Sequence, residues 1–222
     1  MKKYFIIAIF SVLAFLSIPA VAQESVADLC KKGSEFNSAG KFKEALECFE
    51  KAVTRDPRNA KAHYGKGLCL ANTGKHADAV KSFEEALKLD AKDYIACYDK
   101  ALSLYALKKY DESLACFDKA IEINPKYENL WCDKGAVYNA KKMTKEALAC
   151  YEKAIEIFPE YPNAWYNKGL ALNVLRRNEE AVAAFKKCRS ILKPEDEGFR
   201  RILDQAIKEL TDFMEAKKTD KK

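Results

Sequence analysis

The chain repeats itself every 34 residues, five times in succession and without an insertion. Copies begin at Val26, Ala60, Tyr94, Glu128 and Pro162. Their eighth residues are Gly33, Gly67, Ala101, Gly135 and Gly169, and their twentieth are Ala45, Ala79, Ser113, Ala147 and Ala181. The twenty-fourth are Phe49, Phe83, Phe117, Tyr151 and Phe185; the twenty-seventh are Ala52, Ala86, Ala120, Ala154 and Cys188. Two helices cross closely only where one offers a small-residue notch and the other a knob to fill it, and this pattern supplies both. A period of this length means stacked helical pairs, each too small to bury its apolar face alone, that share one continuous core.

Each copy reads as a helical hairpin. In the fourth, Leu130, Trp131, Lys134, Val137 and Tyr138 recur at the three-or-four spacing of one helical face. Lys141 to Thr144 breaks the apolar pattern, and Ala147, Leu148, Tyr151, Ala154 and Ile155 resume it. Proline punctuates the joints, because it disfavours helix at the residue before it and suits a new start. The turn inside the first two hairpins carries Gly40 and Gly74, suited to a left-handed backbone. Lys108, Lys142 and Arg176 take that place later, so those turns are either strained by about 1 kcal/mol or shaped differently.

These residues resemble the tetratricopeptide repeat over positions 26–195, in copies spanning 26–59, 60–93, 94–127, 128–161 and 162–195. That family asks for Trp or Leu at the fourth position, where this chain has Leu29, His63, Cys97, Trp131 and Trp165. It asks for proline near the thirty-second, met by Pro57, Pro125 and Pro159; Ala91 substitutes once, and Pro194 comes one residue late. The resemblance implies an all-α fold, a right-handed α-solenoid of five helix-turn-helix repeats. Residues 196–216 read as a capping helix, with Phe199, Ile202, Leu203, Ala206, Leu210 and Phe213 as a single apolar stripe over the last repeat.

At the other end, Met1 to Ala22 reads as a secretory signal peptide: Lys2 and Lys3, an apolar run from Tyr4 to Ile18, then an A-x-A cleavage site. That run is shorter than the ~20 residues that span a bilayer. The expectation is cleavage before Gln23, a short linker at 23–25, no membrane insertion afterwards, and a periplasmic or secreted location in a bacterium-like cell. Residues 217–222, with four lysines and one aspartate, read as a basic disordered tail.

Net charge is +6; loss of Lys2 and Lys3 leaves +4, and the tail holds +3 of that. The array itself is nearly neutral, with no basic stripe of the kind nucleic acid needs. Eight cysteines in an exported chain suggest disulfides. Their places in the repeat argue against bonds: Cys48, Cys116 and Cys150 share the twenty-third position, Cys30 and Cys132 the fifth. Equivalent positions in neighbouring repeats lie about 9 Å apart, too far to bridge, so reduced thiols are expected. Of two histidines, His63 stands where the family places a packing residue and His76 begins a second helix. No catalytic motif, phosphate loop, cofactor or metal signature is present, and strict spacing leaves no inserted loop to hold one. The carboxylates read as partners of lysines on outer helix faces, as at Glu84, Glu85 and Lys88. The chain reads as non-catalytic.

What remains is a groove. The resemblance implies that the first helix of each repeat lines a concave surface that binds another protein or an extended peptide. Its contact positions carry Tyr64, Leu68, Tyr98, Leu102, Tyr105, Asn129, Asp133, Asn139, Asn163, Tyr166, Asn167, Leu170 and Asn173. Tyrosine offers contact area with a polar tip, and asparagine can pair with a backbone amide. Packing between neighbouring first helices accounts for Tyr64, Tyr98 and Tyr166 equally well. One mode of the family, capture of a C-terminal carboxylate by Lys and Asn, finds no matching set: Cys30 and Ser34 lead to Gly65, Tyr98 and Leu102 to Asp133. Asp99 and Asp133 would instead suit a partner of basic character. The expectation is a monomeric scaffold in envelope assembly, with a holder of unfolded exported chains, or a self-associating structural protein, as alternatives.

Overall fold

A computed structural model describes residues 24–219, all of them in helices and tight turns. The expected signal peptide and cleavage site lie outside the described residues. Ten helices pair as five hairpins. The first helices are α1 Val26–Ser38, α3 Ala60–Asn72, α5 Tyr94–Ala106, α7 Glu128–Ala140 and α9 Pro162–Val174. The second helices are α2 Phe42–Arg55, α4 His76–Leu89, α6 Tyr110–Ile123, α8 Thr144–Ile157 and α10 Asn178–Ile191. Helix α11, Glu197–Thr219, follows. Several starts are capped as the sequence allows: Asn59 accepts from the Ala62 N–H, Asp93 from Ile95 and Ala96, and Ser25 forms a reciprocal box with Asp28.

The notch-and-knob pattern builds the core. Phe49, Phe83, Phe117, Tyr151 and Phe185 are each at most 3% exposed. A Cβ placed on Gly67, Gly135 or Gly169 would lie 2.4–2.6 Å from the aromatic ring of the same repeat, so the notch has to be small. The third repeat uses Ala101 there, and its Ser113 hydroxyl donates to the Ala101 carbonyl at 2.8 Å. The turns settle the alternative left by the sequence. Lys108, Lys142 and Arg176 hold φ of 60–62°, the same left-handed region as Gly40 and Gly74. Each closes the same backbone bonds, as when the Lys142 N–H donates to Asn139 and the Met143 N–H to Tyr138. The repeat geometry overrides the local preference.

The fourth position seals the joint between repeats. Trp131 and Trp165 donate their indole N–H to the carbonyls of Pro125 and Pro159 at 3.0 and 2.8 Å. His63 Nε2 lies 3.0 Å from the Pro57 carbonyl, so the histidine does the work of the tryptophans. On the outside, a second ladder ties neighbours together: Lys66 to Glu50, Lys100 to Glu84, Lys134 to Asp118 and Lys168 to Glu152. Glu84 thus reaches into the next repeat, and only Glu85 pairs locally with Lys88. The ladder stops where Lys186 and Ile202 occupy the acidic and basic places, and Arg189 pairs with Asp204 instead.

Helix α11 covers the last repeat with Leu203, fully buried, and with Phe199, Ala206, Ile207 and Leu210. It has no second helix to admit, so a leucine fills the place where other repeats need glycine. The expected stripe is corrected at two residues: Ile202 and Phe213 are 55% and 39% exposed, and Ile207 packs in their stead. One helix face contacts the array, and Ile202 lies a hundred degrees round from Leu203. The helix also continues to Thr219, into the stretch expected to be disordered.

Candidate partner-binding groove

Successive first helices touch, α1 with α3, α3 with α5 and α7 with α9, whereas no two second helices pack as closely. The first helices therefore line the inner curve. Each presents its fifth residue toward the sixth residue of the next first helix, and this contact organises the face. The Tyr64 hydroxyl donates to Asp99 Oδ2 at 2.8 Å, and Tyr98 donates to Asp133 Oδ2 at 2.6 Å. One step on, Asn167 Nδ2 meets Cys132 Sγ at 3.6 Å. Burial pushes Asp99 up to about 6 and raises Asp133, while the tyrosine bonds pull each the other way. Tyr64 and Tyr98 are themselves raised well above the usual phenol range, first by burial and then by these carboxylates.

The thirteen expected groove residues divide accordingly. Tyr64, Tyr98, Asp133 and Asn167 are half-buried members of the inter-repeat ladder, and Tyr166 packs edge-on to Phe199 of the cap at 5.1 Å. Asn129 accepts from Tyr161 and donates to Tyr127 at 2.9 Å. For these, the packing account holds. Leu68 and Leu102 are half-buried against the Phe83 and Phe117 clusters, and Asn173 is half-buried. Tyr105, Asn139, Asn163 and Leu170 face solvent. Asp99 and Asp133 are likewise half-buried, and each carboxylate already accepts a bond from a tyrosine.

The ladder is broken at its first step, and sequence reading passed over this. The fifth residue of the first repeat is Cys30 and the sixth of the second is Gly65, so neither tyrosine nor carboxylate is there. An open recess of about 850 Å³ takes their place. Its walls include Cys30, Lys31, Ser34, Asn37 and Ser38 of α1, and Lys61, Tyr64, Gly65 and Leu68 of α3. Phe49 forms the floor, seen past Gly65, whose Cβ would fall 2.2 Å from the ring. The available signal was glycine at position six, where the later repeats carry Asp99, Asp133 and Asn167.

The thiols are all free. Cys48, Cys69, Cys97, Cys132, Cys150 and Cys188 are buried, and burial pushes Cys69, Cys132, Cys150 and Cys188 up to about 11. Among the described residues no group of His, Cys, Asp and Glu side chains is arranged to hold a metal ion. No helix among them is long and apolar enough to cross a membrane.

Models described as tetratricopeptide repeat match residues 30–94, 94–127, 116–149 and 162–191, and one described as TPR repeat matches 135–173. Among solved structures, MamA is 26% identical over 72% of this chain and 93% of its own, with a TM-score of 0.68. MamA of Desulfovibrio magneticus RS-1 is 20% identical, covering 76% of this chain and 96% of that one, TM-score 0.70. YrrB, described as a TPR protein with an unusual peptide-binding site, is 22% identical over 82% and 93%, TM-score 0.66; at such identities the likeness is one of fold. A search of curated proteins returned no match. Five concordant repeats, matched by family models that together run from residue 30 to 191, place the chain in the tetratricopeptide repeat family.

Proposed function

We propose that this protein is a non-catalytic scaffold of the cell envelope that holds an extended segment of a partner protein along its inner face. The family and the helical array support an interaction role. The observation that carries the groove is the inner run of first helices, where Tyr105, Asn139, Asn163 and Leu170 face solvent and the first two repeats leave an open recess. Aromatic and amide groups on a rigid helical frame bind peptides at low entropic cost. The leader-like composition of Met1 to Ala22 supports export.

Photo-crosslinking in the native envelope tests this, with one probe at Asn139 on the inner face and another at the exposed Lys187 on α10. A discrete partner captured from Asn139 and not from Lys187 is the expected result. Capture from Lys187 alone would place the function on the outer face. A spread of weak products from Asn139 would identify a holder of unfolded chains, and concentration-dependent light scattering by the purified protein would identify self-association. N-terminal sequencing of the envelope form is expected to begin at Gln23.

A further inference from the structure

We infer that the recess between the first two repeats is an anchor site for an acidic segment carrying one large apolar side chain, so that the partner docks at this end of the groove. The inference rests on the groove reading and narrows it. Cys30 and Gly65 stand where the next two joints place tyrosine opposite aspartate and the last places Cys132 opposite Asn167, so only this joint lacks a side chain at position six to bridge it. Its floor is an aromatic ring, Phe49, and its apolar wall is Leu68. At about 850 Å³ it lies within the ~300–1,000 Å³ range of sites that bury a small ligand. That is room for a few residues of extended chain and not for a helix of ~10 Å diameter.

Charge selects the occupant. Lys31 and Lys61 stand exposed on opposite walls, and among the described residues neither has a carboxylate within ion-pair reach. By contrast, all five lysines at the seventh position of a first helix are paired. The acid at the margin, Asp93, accepts the Ile95 and Ala96 N–H groups through Oδ1 at the start of α5 and is outnumbered by the two lysines. Two uncommitted cations therefore flank an apolar floor, which favours a carboxylate on either side of the anchor. Asn37 adds a directed contact. Its carbonyl oxygen is occupied by Asn72 Nδ2 at 3.2 Å and by Cys69, leaving its amide hydrogens to meet a peptide carbonyl.

The probe is a fluorescein-labelled octapeptide with one central Trp between pairs of Glu, read by fluorescence anisotropy against the full chain. Two sister peptides replace the Glu residues with Lys, or the Trp with Ala. The expected result is binding of the first peptide and about tenfold or weaker binding of both sisters, with affinity falling as salt rises. Cys30→Tyr fills the recess with the residue that Tyr64, Tyr98 and Tyr166 provide elsewhere, and is expected to abolish binding. Lys31→Glu with Lys61→Glu changes only exposed side chains and is expected to reverse the preference toward the Lys peptide. Equal binding of the Glu and Lys peptides, or binding that survives both variants, overturns the proposal. Capture of a partner at Asn139 with no peptide binding also overturns it while leaving the groove reading intact. Peptide binding in the recess with capture only from Lys187 retains the anchor site and sinks the groove reading.

Discussion

Gly65→Ala tests the packing of the first joint between repeats with a single methyl group. Alanine is the better helix former by about 1 kcal/mol, so propensity alone predicts stabilisation in the middle of α3. The structure predicts the opposite. The new Cβ would lie 2.2 and 2.3 Å from Cε1 and Cζ of Phe49 and 2.6 Å from Cδ1. The ring has no room to retreat, because its far side already faces Gly33, where a Cβ would fall at 2.9 Å, and it is 3% exposed. Overpacking of this kind costs about 1–3 kcal/mol, which outweighs the propensity gain and leaves a net loss of about 1 kcal/mol. Gly198→Ala is the internal control: it lies in the first turn of α11 with nothing within 4 Å, and only the propensity gain applies. Urea unfolding followed by circular dichroism should move the midpoint down for Gly65→Ala and up slightly for Gly198→Ala, each with unchanged slope. Phe49→Leu introduced into Gly65→Ala should recover part of the loss, whereas in the parent it costs stability. Gly65→Ala as stable as the parent would refute the claim that the Phe49 ring leaves no room for a Cβ at position 65.

Other outcomes follow from single features. Lys142→Gly relieves a left-handed lysine worth about 1–2 kcal/mol and gives back up to about 1 in chain entropy, so thermal unfolding should rise by a degree or two. Asp99 sits at about 6 in the folded protein against 3.8 in the unfolded chain, so the native state binds the proton more tightly. Its stabilising share is complete below the unfolded value and is lost as pH rises through about 6. Asp99→Asn should therefore stabilise by about 1 kcal/mol at pH 7, after allowance for solvent screening, and by nothing near pH 4; a pH-independent difference would contradict this. Without reductant, the unfolded chain should titrate eight thiols, and the native chain should release the buried six far more slowly than Cys30 and Cys116; fewer than eight would mean a disulfide.

Much of the fold was legible because a repeat states its register five times. The positions of Gly67 and Phe83, or Gly169 and Phe185, are notch and knob within one hairpin, and a fixed separation in sequence carries directly into contact. The outer ladder was equally open to reading, since lysine at the seventh position and an acid at the twenty-fifth recur together, yet Glu84 and Lys88 invited a local pairing that the structure gives to Lys100. The cap was legible as an amphipathic helix, but which of the adjacent Ile202 and Leu203 would face the array was not.

The sequence by itself determined the helices, their hairpins and the continuous core, because each depends on spacing within a repeat or on equivalent places in neighbouring ones. Tertiary structure decided which groove residues are spent. Tyr64 and Asp99, or Tyr98 and Asp133, stand 35 residues apart and meet only through the angle at which one repeat stacks on the next. That angle turned most of the expected binding tyrosines into struts. It also left an opening between Cys30 and Gly65, which the sequence marked only as a mismatch to carboxylate capture, because a recess is made by side chains that fail to meet across a joint.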